Sequence, residues 1–437
     1  MSNHVQLFID FIKNSPSAFH AAHTIVAMLE DAGYARLEEN KAWTIVPGGK
    51  YVVTRNGSAV IAFAVPQTGF AHFQIVSSHS DSPTFKLKNS CEDEAAGGNY
   101  LRLNVERYGG MIMSSWFDRP LSIAGRVLVR EGNAITAKLV DLDRDAVIIP
   151  NMPIHFNRDV NDGYKYNAQV DLLPLYGGAG SKGKLKAEIA KAAGVPEDAI
   201  IAQDLFLSAR QPGAVFGAEN EFFCCPRIDD LECAYASTAA FLASEAKGHI
   251  NVLAVFDNEE VGSSSKQGAD STFMTDVFAR VGAALGASDS EVRAAIASSF
   301  MASADNAHAV HPNHPEKYDA QNRTFMNGGV VIKHNANQKS TTDAVSNAIF
   351  SAVCELAGVP VQHFANRSDV LGGSTLGNIA NTHASMNTVD IGLAQLAMHS
   401  SVETAGCKDV EYMVRALCSL YTHNVVMQGD GAFVIED

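Results

Sequence analysis

At 437 residues the chain exceeds what one ordinary core holds, so two or three domains are expected. Its 46% hydrophobic and 19% charged residues are those of a folded globular protein, and no run of about 18 apolar residues is present to span a membrane. With 33 basic against 48 acidic side chains the net charge is -15, which repels a nucleic-acid duplex or an anionic membrane and excludes both as partners.

The opening stretch MSNHVQLFIDFIKNSPSAF lacks a basic start followed by an apolar block, so no secretory signal is expected. Val5, Phe8, Phe11 and Ile12 stand at helical spacing and predict a first helix. Ser15-Pro16-Ser17 separates it from a second, which ends at a Gly33 cap. Residues 51–55 and 59–65 flank Asn56-Gly57, a hairpin signal, and 72–78 reads as a strand that delivers His79 at its carboxyl end.

After Lys88 the character changes, and 91–225 is mainly β with turns. Val127 and Val129 alternate toward Glu131-Gly132-Asn133; Ile135, Ala137 and Leu139 alternate away from it. A glycine-rich loop, 177–183, precedes a short helix closing near Gly194. From Ile228 strands and helices alternate again. Ile250–Phe256 is a nearly continuous apolar run, as expected of a parallel strand covered on both faces. Residues 341–356 form a helix closed by Gly358 before Pro360, and 361–364 and 389–391 are short strands. The expected fold class is α/β, with a mostly parallel sheet flanked by helices. It comprises a discontinuous catalytic domain, 1–90 and 226–437, interrupted by a β-rich domain, 91–225. Ligands then gather at the carboxyl ends of the parallel strands. Seven cysteines form no C-x-x-C pair, and Cys224 and Cys225 are adjacent, so reduced thiols in a cytoplasmic chain are expected.

Five segments carry chemistry. Ser78-His79-Ser80-Asp81-Ser82-Pro83 places an acid two residues beyond an imidazole, where it can hold the ring of a metal ligand. Asp257-Asn258-Glu259-Glu260 follows the most buried strand. Neighbouring side chains on extended backbone point opposite ways, so one glutamate can bind a metal while the other faces a water. Arg227-Ile228-Asp229-Asp230 supplies a carboxylate able to bridge two cations, and either aspartate qualifies. Asp305 opens a run with His308, His311 and His314, in which Pro312 breaks any helix; such clusters are more often hydrogen-bonded than ligating. His399 ends an apolar stretch, where a satisfied core histidine is the commoner outcome. Mixed nitrogen and oxygen donors suit zinc, with cobalt or manganese as substitutes. Gly178 to Lys184 imitates a phosphate loop, but Leu185 fills its Ser/Thr position. The glycines of Leu371-Gly372-Gly373-Ser374-Thr375-Leu376-Gly377 let backbone approach a substrate before a helix.

At these residues the chain resembles the aspartyl aminopeptidase family of cocatalytic metallopeptidases. The resemblance rests on SSHSDSPTFKLK, SWFDRPLSIAGRV, PRIDDLECAYAS, FDNEEVGSSSKQGA, SADNAHAVHPNH, VIKHNANQK, GGSTLGNI and DIGLAQLAMHS, in order from residue 77 to about 401. It implies two divalent ions per subunit, most simply Zn2+, one held by His79 and Asp305 and the other by Glu260 and His399. Asp229 would bridge them, Asp81 would orient His79, and Glu259 would be the general base. It also implies that the inserted domain builds a dimer interface and that dimers assemble into tetrahedral dodecamers. His155 would reach the site of a neighbouring subunit, and Lys333 would meet the acidic side chain of the substrate. The expected activity is removal of N-terminal Asp or Glu from peptides. Two rival expectations are an aminopeptidase preferring neutral residues and a catalytically silent assembly or cargo protein. A dinuclear deacylase is a third, separated from the others by the need for a free α-amine.

Overall fold

The computed structural model describes residues 3–436. A nine-stranded sheet forms the centre of a mixed α/β arrangement. Ile250–Phe256, Phe73–His79, Phe300–Ala304 and Asn387–Gly392 lie side by side and run parallel. Lys50–Arg55 and Ala59–Ala64 flank them as an antiparallel hairpin. Its turn places Asn56 and Gly57 at φ 57° and 70°, the left-handed pair that an Asn-Gly hairpin uses. On the other side Val330–His334 runs antiparallel to Asn387–Gly392 and parallel to Val361–Ala365.

Ile250–Phe256 is buried throughout, and its alternate residues enter different cores. Leu253 and Val255 pack with helices Ala18–Asp31, Ile228–Leu242 and Asp409–Thr422. Val252, Ala254 and Phe256 pack with Phe273–Ala284 on the opposite face. This two-sided covering explains the unbroken apolar run. Helix 344–356 begins later than the 341 read from the sequence, because Asp343 and Ser346 close a capping box there.

Every strand of a second, seven-stranded sheet lies between Thr84 and Ala209, and its pairings are antiparallel. Ile200–Ala209 pairs with Thr84–Ala95 on one side and Pro120–Glu131 on the other, curling the sheet into a barrel. Phe85, Leu103, Ile123, Val127 and Leu205 fill it. A small sheet joins Phe222–Cys225 to Glu403–Gly406 and Ala394–Leu396, bringing late residues beside the start of helix Ile228–Leu242. Among the described residues no helix is long and apolar enough to cross a membrane.

Candidate metal centre

The carboxyl ends of the central parallel strands converge on one cluster. His79 is the last residue of its strand and pairs in register with Phe256, so Asp257 to Glu260 emerge beside it. Asp305 leaves the next strand. Gly392 stands against it, and a Cβ there would come within 2.1 Å of the Asp305 carbonyl oxygen, so only glycine allows this approach. Asp229 enters from the start of helix Ile228–Leu242 through Arg227, which adopts φ 59°, and the Asp229–Asp230 peptide is cis. His399 enters from the loop after Ala394–Leu396, also with positive φ.

The distances are those of a cluster sharing Asp229. His79 Nε2 lies 3.5 Å from Asp229 Oδ1, and His399 Nε2 lies 3.3 Å from Asp229 Oδ2 and 3.4 Å from Glu260 Oε2. Donor atoms of His79, Asp229, Asp230 and Asp305 lie within 4.8 Å of one another; so do those of Asp229, Glu260 and His399, and of His79, Glu259 and Glu260. Asp229 Oδ1 and Glu260 Oε1 are buried and accept no hydrogen bond. Buried carboxylate oxygens without partners, crowded among other carboxylates, fit a divalent cation.

Electrostatics point the same way. Burial, then Asp229, raises the Glu260 carboxyl well above the usual range. Burial raises Glu259 to about 8; His79 opposes this, while Asp305, Asp81 and Asp229 reinforce it. Burial and Asp229 also raise Asp305, with Lys333 opposing. Asp229 moves down instead, because the His399 and His79 imidazoles beside it outweigh its burial. A cation would reverse the carboxylate shifts.

Three further carboxylates hold the main chain of this cluster. Asp81 Oδ1 accepts Glu259 N–H and its Oδ2 accepts Glu260 N–H, at 3.1 and 3.2 Å, while its Oδ1 lies 3.3 Å from His79 Nδ1. Asp230 accepts His79 N–H and Asn306 N–H at 3.0 and 3.2 Å. Glu403 accepts Asp229 N–H and His399 N–H at 3.0 and 2.7 Å. The sequence reading missed Glu403, and the residues alone left Asp229 and Asp230 equally eligible, the choice of Asp229 resting on the family resemblance. In the structure Asp229 faces both imidazoles, while the oxygens of Asp230 take main-chain N–H groups.

Lys333 stands at the edge of the cluster, 8% exposed. Its Nζ donates to Asn306 O at 3.0 Å and lies 3.4 Å from Asp305 Oδ2. Asp229, Glu259, Glu260, Asp305, Lys333 and His399 line a common cavity of about 210 Å³. His308 and His334 also reach this cavity, whereas the His311 and His314 rings pair with each other in an exposed turn. His155 belongs to none of these groupings. It is exposed between Ile154 and Phe156, the latter 82% exposed.

The profile of the family described as aminopeptidase I zinc metalloprotease, M18, matches residues 11–421. A probable M18 family aminopeptidase 2 of Clostridium acetobutylicum is 46% identical over 422 residues, covering 94% of this chain and 97% of that protein. One of Pseudomonas savastanoi pv. phaseolicola is 40% identical over 423 residues, covering 94% and 96%. Among solved structures, the complex of Ape4 with Nbr1 superposes with a TM-score of 0.93 at 34% identity, covering 96% of this chain and 85% of that one. The mApe1 dodecamer of S. cerevisiae superposes with a TM-score of 0.85 at 28% identity, covering 96% of each. The chain is therefore an aminopeptidase, and it belongs to the M18 family of aminopeptidase I zinc metalloproteases.

Proposed function

We propose that this M18 aminopeptidase removes N-terminal Asp and Glu from peptides, using two divalent ions, most simply zinc. In this reading His79 and Asp305 would hold one ion, Glu260 and His399 would hold the other, and Asp229 would be shared by both. The sharing of Asp229 between two imidazoles supports it. When bound, such a pair supplies Lewis acidity, lowering the pKa of a water and polarising the scissile carbonyl. Glu259 accepts the proton of the attacking water and returns it to the leaving amine. Asp81 keeps the His79 ring in its orientation and, through the Glu259 and Glu260 N–H groups, keeps the two glutamates in theirs.

The acidic preference rests on Lys333. An ammonium has three donor positions, and contacts to Asn306 O and Asp305 leave a third for a substrate carboxylate in the cavity. The same pairing with Asp305 also motivates a second reading, an enzyme preferring neutral residues, in which Lys333 only balances the cluster's charge. Chromogenic aminoacyl substrates separate the two. Faster hydrolysis of the Asp and Glu derivatives than of the leucyl one supports the acidic reading, and the reverse order removes it.

Assembly completes the proposal. Residues 91–225 would build a dimer interface, and dimers would form a dodecamer. His155, exposed beside Ile154 and Phe156, would then serve a neighbour's site rather than its own. Residence in the cytoplasm accords with seven cysteines that stand as free thiols.

A further inference from the structure

We infer that Glu403 is a positioning residue that sets the approach of Asp229 to His399, and with it the geometry between the two proposed ions. The inference rests on the two-ion reading above. Asp229 and His399 arrive from distant parts of the chain, one from a helix start and the other from a loop. Around His399 the loop is tied by Ser400 N–H to Ala397 O at 2.9 Å and by Ser401, which bonds Ser115 through both its N–H and its hydroxyl. The His399 main chain sits at φ 67°, a region that side-chain-bearing residues rarely adopt, and its ring is one-third exposed. Such a conformation persists only where surrounding contacts impose it. Ile112 N–H donates to the His399 carbonyl at 3.0 Å, and Glu403 takes the His399 N–H at 2.7 Å. The other oxygen of Glu403 takes Asp229 N–H at 3.0 Å. One carboxylate thus joins the two segments, each of its oxygens receiving one main-chain N–H.

Glu403 is 1% exposed, so no water replaces an acceptor lost there. A glutamine at 403 keeps one oxygen and turns an amide N–H₂ toward the other main-chain donor. Either Asp229 or His399 then loses its anchor, and the two side chains drift apart. Glu403 does not itself face an ion in this arrangement, because both of its oxygens are occupied by N–H groups.

The test compares wild type, Glu403→Gln and Asp409→Asn in the full chain, stripped by chelation and titrated with zinc. Asp409 is the control. It is 0% exposed and likewise accepts two main-chain N–H groups, those of Asn327 and Gly329, outside the cluster. Glu403→Gln is expected to bind at least one zinc about 10–100-fold more weakly, the usual cost of losing an outer partner of a metal ligand. Its cobalt-substituted form is expected to show a shifted visible absorption. Asp409→Asn is expected to melt at lower temperature while keeping wild-type affinity and spectrum. Wild-type affinity and spectrum in Glu403→Gln overturn the inference; so does an equal loss of affinity in Asp409→Asn, which makes the effect one of general stability. If Glu403→Gln does not fold, Glu403→Asp carries the same comparison, since it keeps both oxygens on a shorter arm. Weakened zinc binding there supports the inference, and unchanged binding overturns it. A wild-type chain that takes up a single ion overturns the two-ion reading instead, and Glu403 is then judged on that ion.

Discussion

The Tyr108 hydroxyl donates to Asp81 Oδ2 at 2.6 Å, which carries a side chain of the barrel into the centre built by the large sheet. Asn258 Nδ2 in turn donates to the Tyr108 oxygen at 2.7 Å. Burial, then Asp81 and Asp257, push the phenol above its ordinary range, so it remains a donor at any working pH. Tyr108→Phe removes a hydrogen bond to a charged acceptor, worth about 1.5–3 kcal/mol. The expected result is a kcat about tenfold or more below wild type, with KM little changed, read by steady-state kinetics. A kcat equal to wild type would show that the Glu259 and Glu260 N–H groups hold Asp81 without help.

Glu259 and Glu260 are adjacent yet proposed for different work. Glu259→Gln is expected to retain its metal and lose about 10²–10⁴-fold in kcat, the range for a general base. Glu260→Gln is expected to bind metal more weakly, because Glu260 Oε2 lies 3.4 Å from His399 and its other oxygen has no partner. Elemental analysis beside kinetics distinguishes them. Equal metal content and equal residual rates in the two variants would refute the division.

Lys333→Ala separates the acidic from the neutral reading. Leaving a substrate carboxylate unpaired in this cavity costs about 2–5 kcal/mol, roughly thirty- to several-thousand-fold in kcat/KM. The loss should fall on aspartyl and glutamyl substrates and be much smaller on leucyl ones. An equal, large loss on both would mean that Lys333 serves Asp305 and Asn306 and not the substrate.

Prolonged chelation should abolish hydrolysis, and zinc, cobalt or manganese should restore it. The metal-free chain should also grow less stable as pH rises from about 6.5 to 8, above the range in which the buried His20 and His72, lowered to about 4, act the other way. Burial raises Glu232, Glu259 and Glu403 to about 8 and Asp257 to about 7, so the folded state keeps protons that the unfolded state has released. For an acid raised in this way, stability is complete below the unfolded pKa and is lost as pH climbs through the folded one. His79, raised despite its burial by Asp230, Asp229 and Asp81, acts in the same direction. Asp229, held low, changes only at more acid pH. Melting curves at several pH values, with and without zinc, check this. A metal-free chain whose stability rises across the window contradicts the assignment.

Part of this architecture was readable from local chemistry. Asn56-Gly57 dictates a hairpin, and the apolar run from Ile250 dictates a strand covered on both faces. Functional groups at its carboxyl end then follow from the parallel-sheet rule. Contacts between distant segments were not readable. Nothing in 330–334 reveals that this strand runs antiparallel to its neighbour. Nor does 200–209 reveal that it closes a barrel against 120–131. Glu403 has no signature because a carboxylate that accepts main-chain N–H groups needs no particular spacing. The choice between Asp229 and Asp230 depends on where each side chain turns, which adjacency cannot convey.

The order in which the cluster's members leave the ribosome has its own consequence. His79 emerges first, Asp229 and Asp305 later, and His399 and Glu403 last of these. The strand that presents Asp305 also needs its neighbour Asn387–Gly392, itself a late arrival. A chain cut before residue 387 therefore lacks the strand beside Asp305 as well as His399 and Glu403. Completing the centre thus waits on segments some three hundred residues apart, from His79 to Glu403.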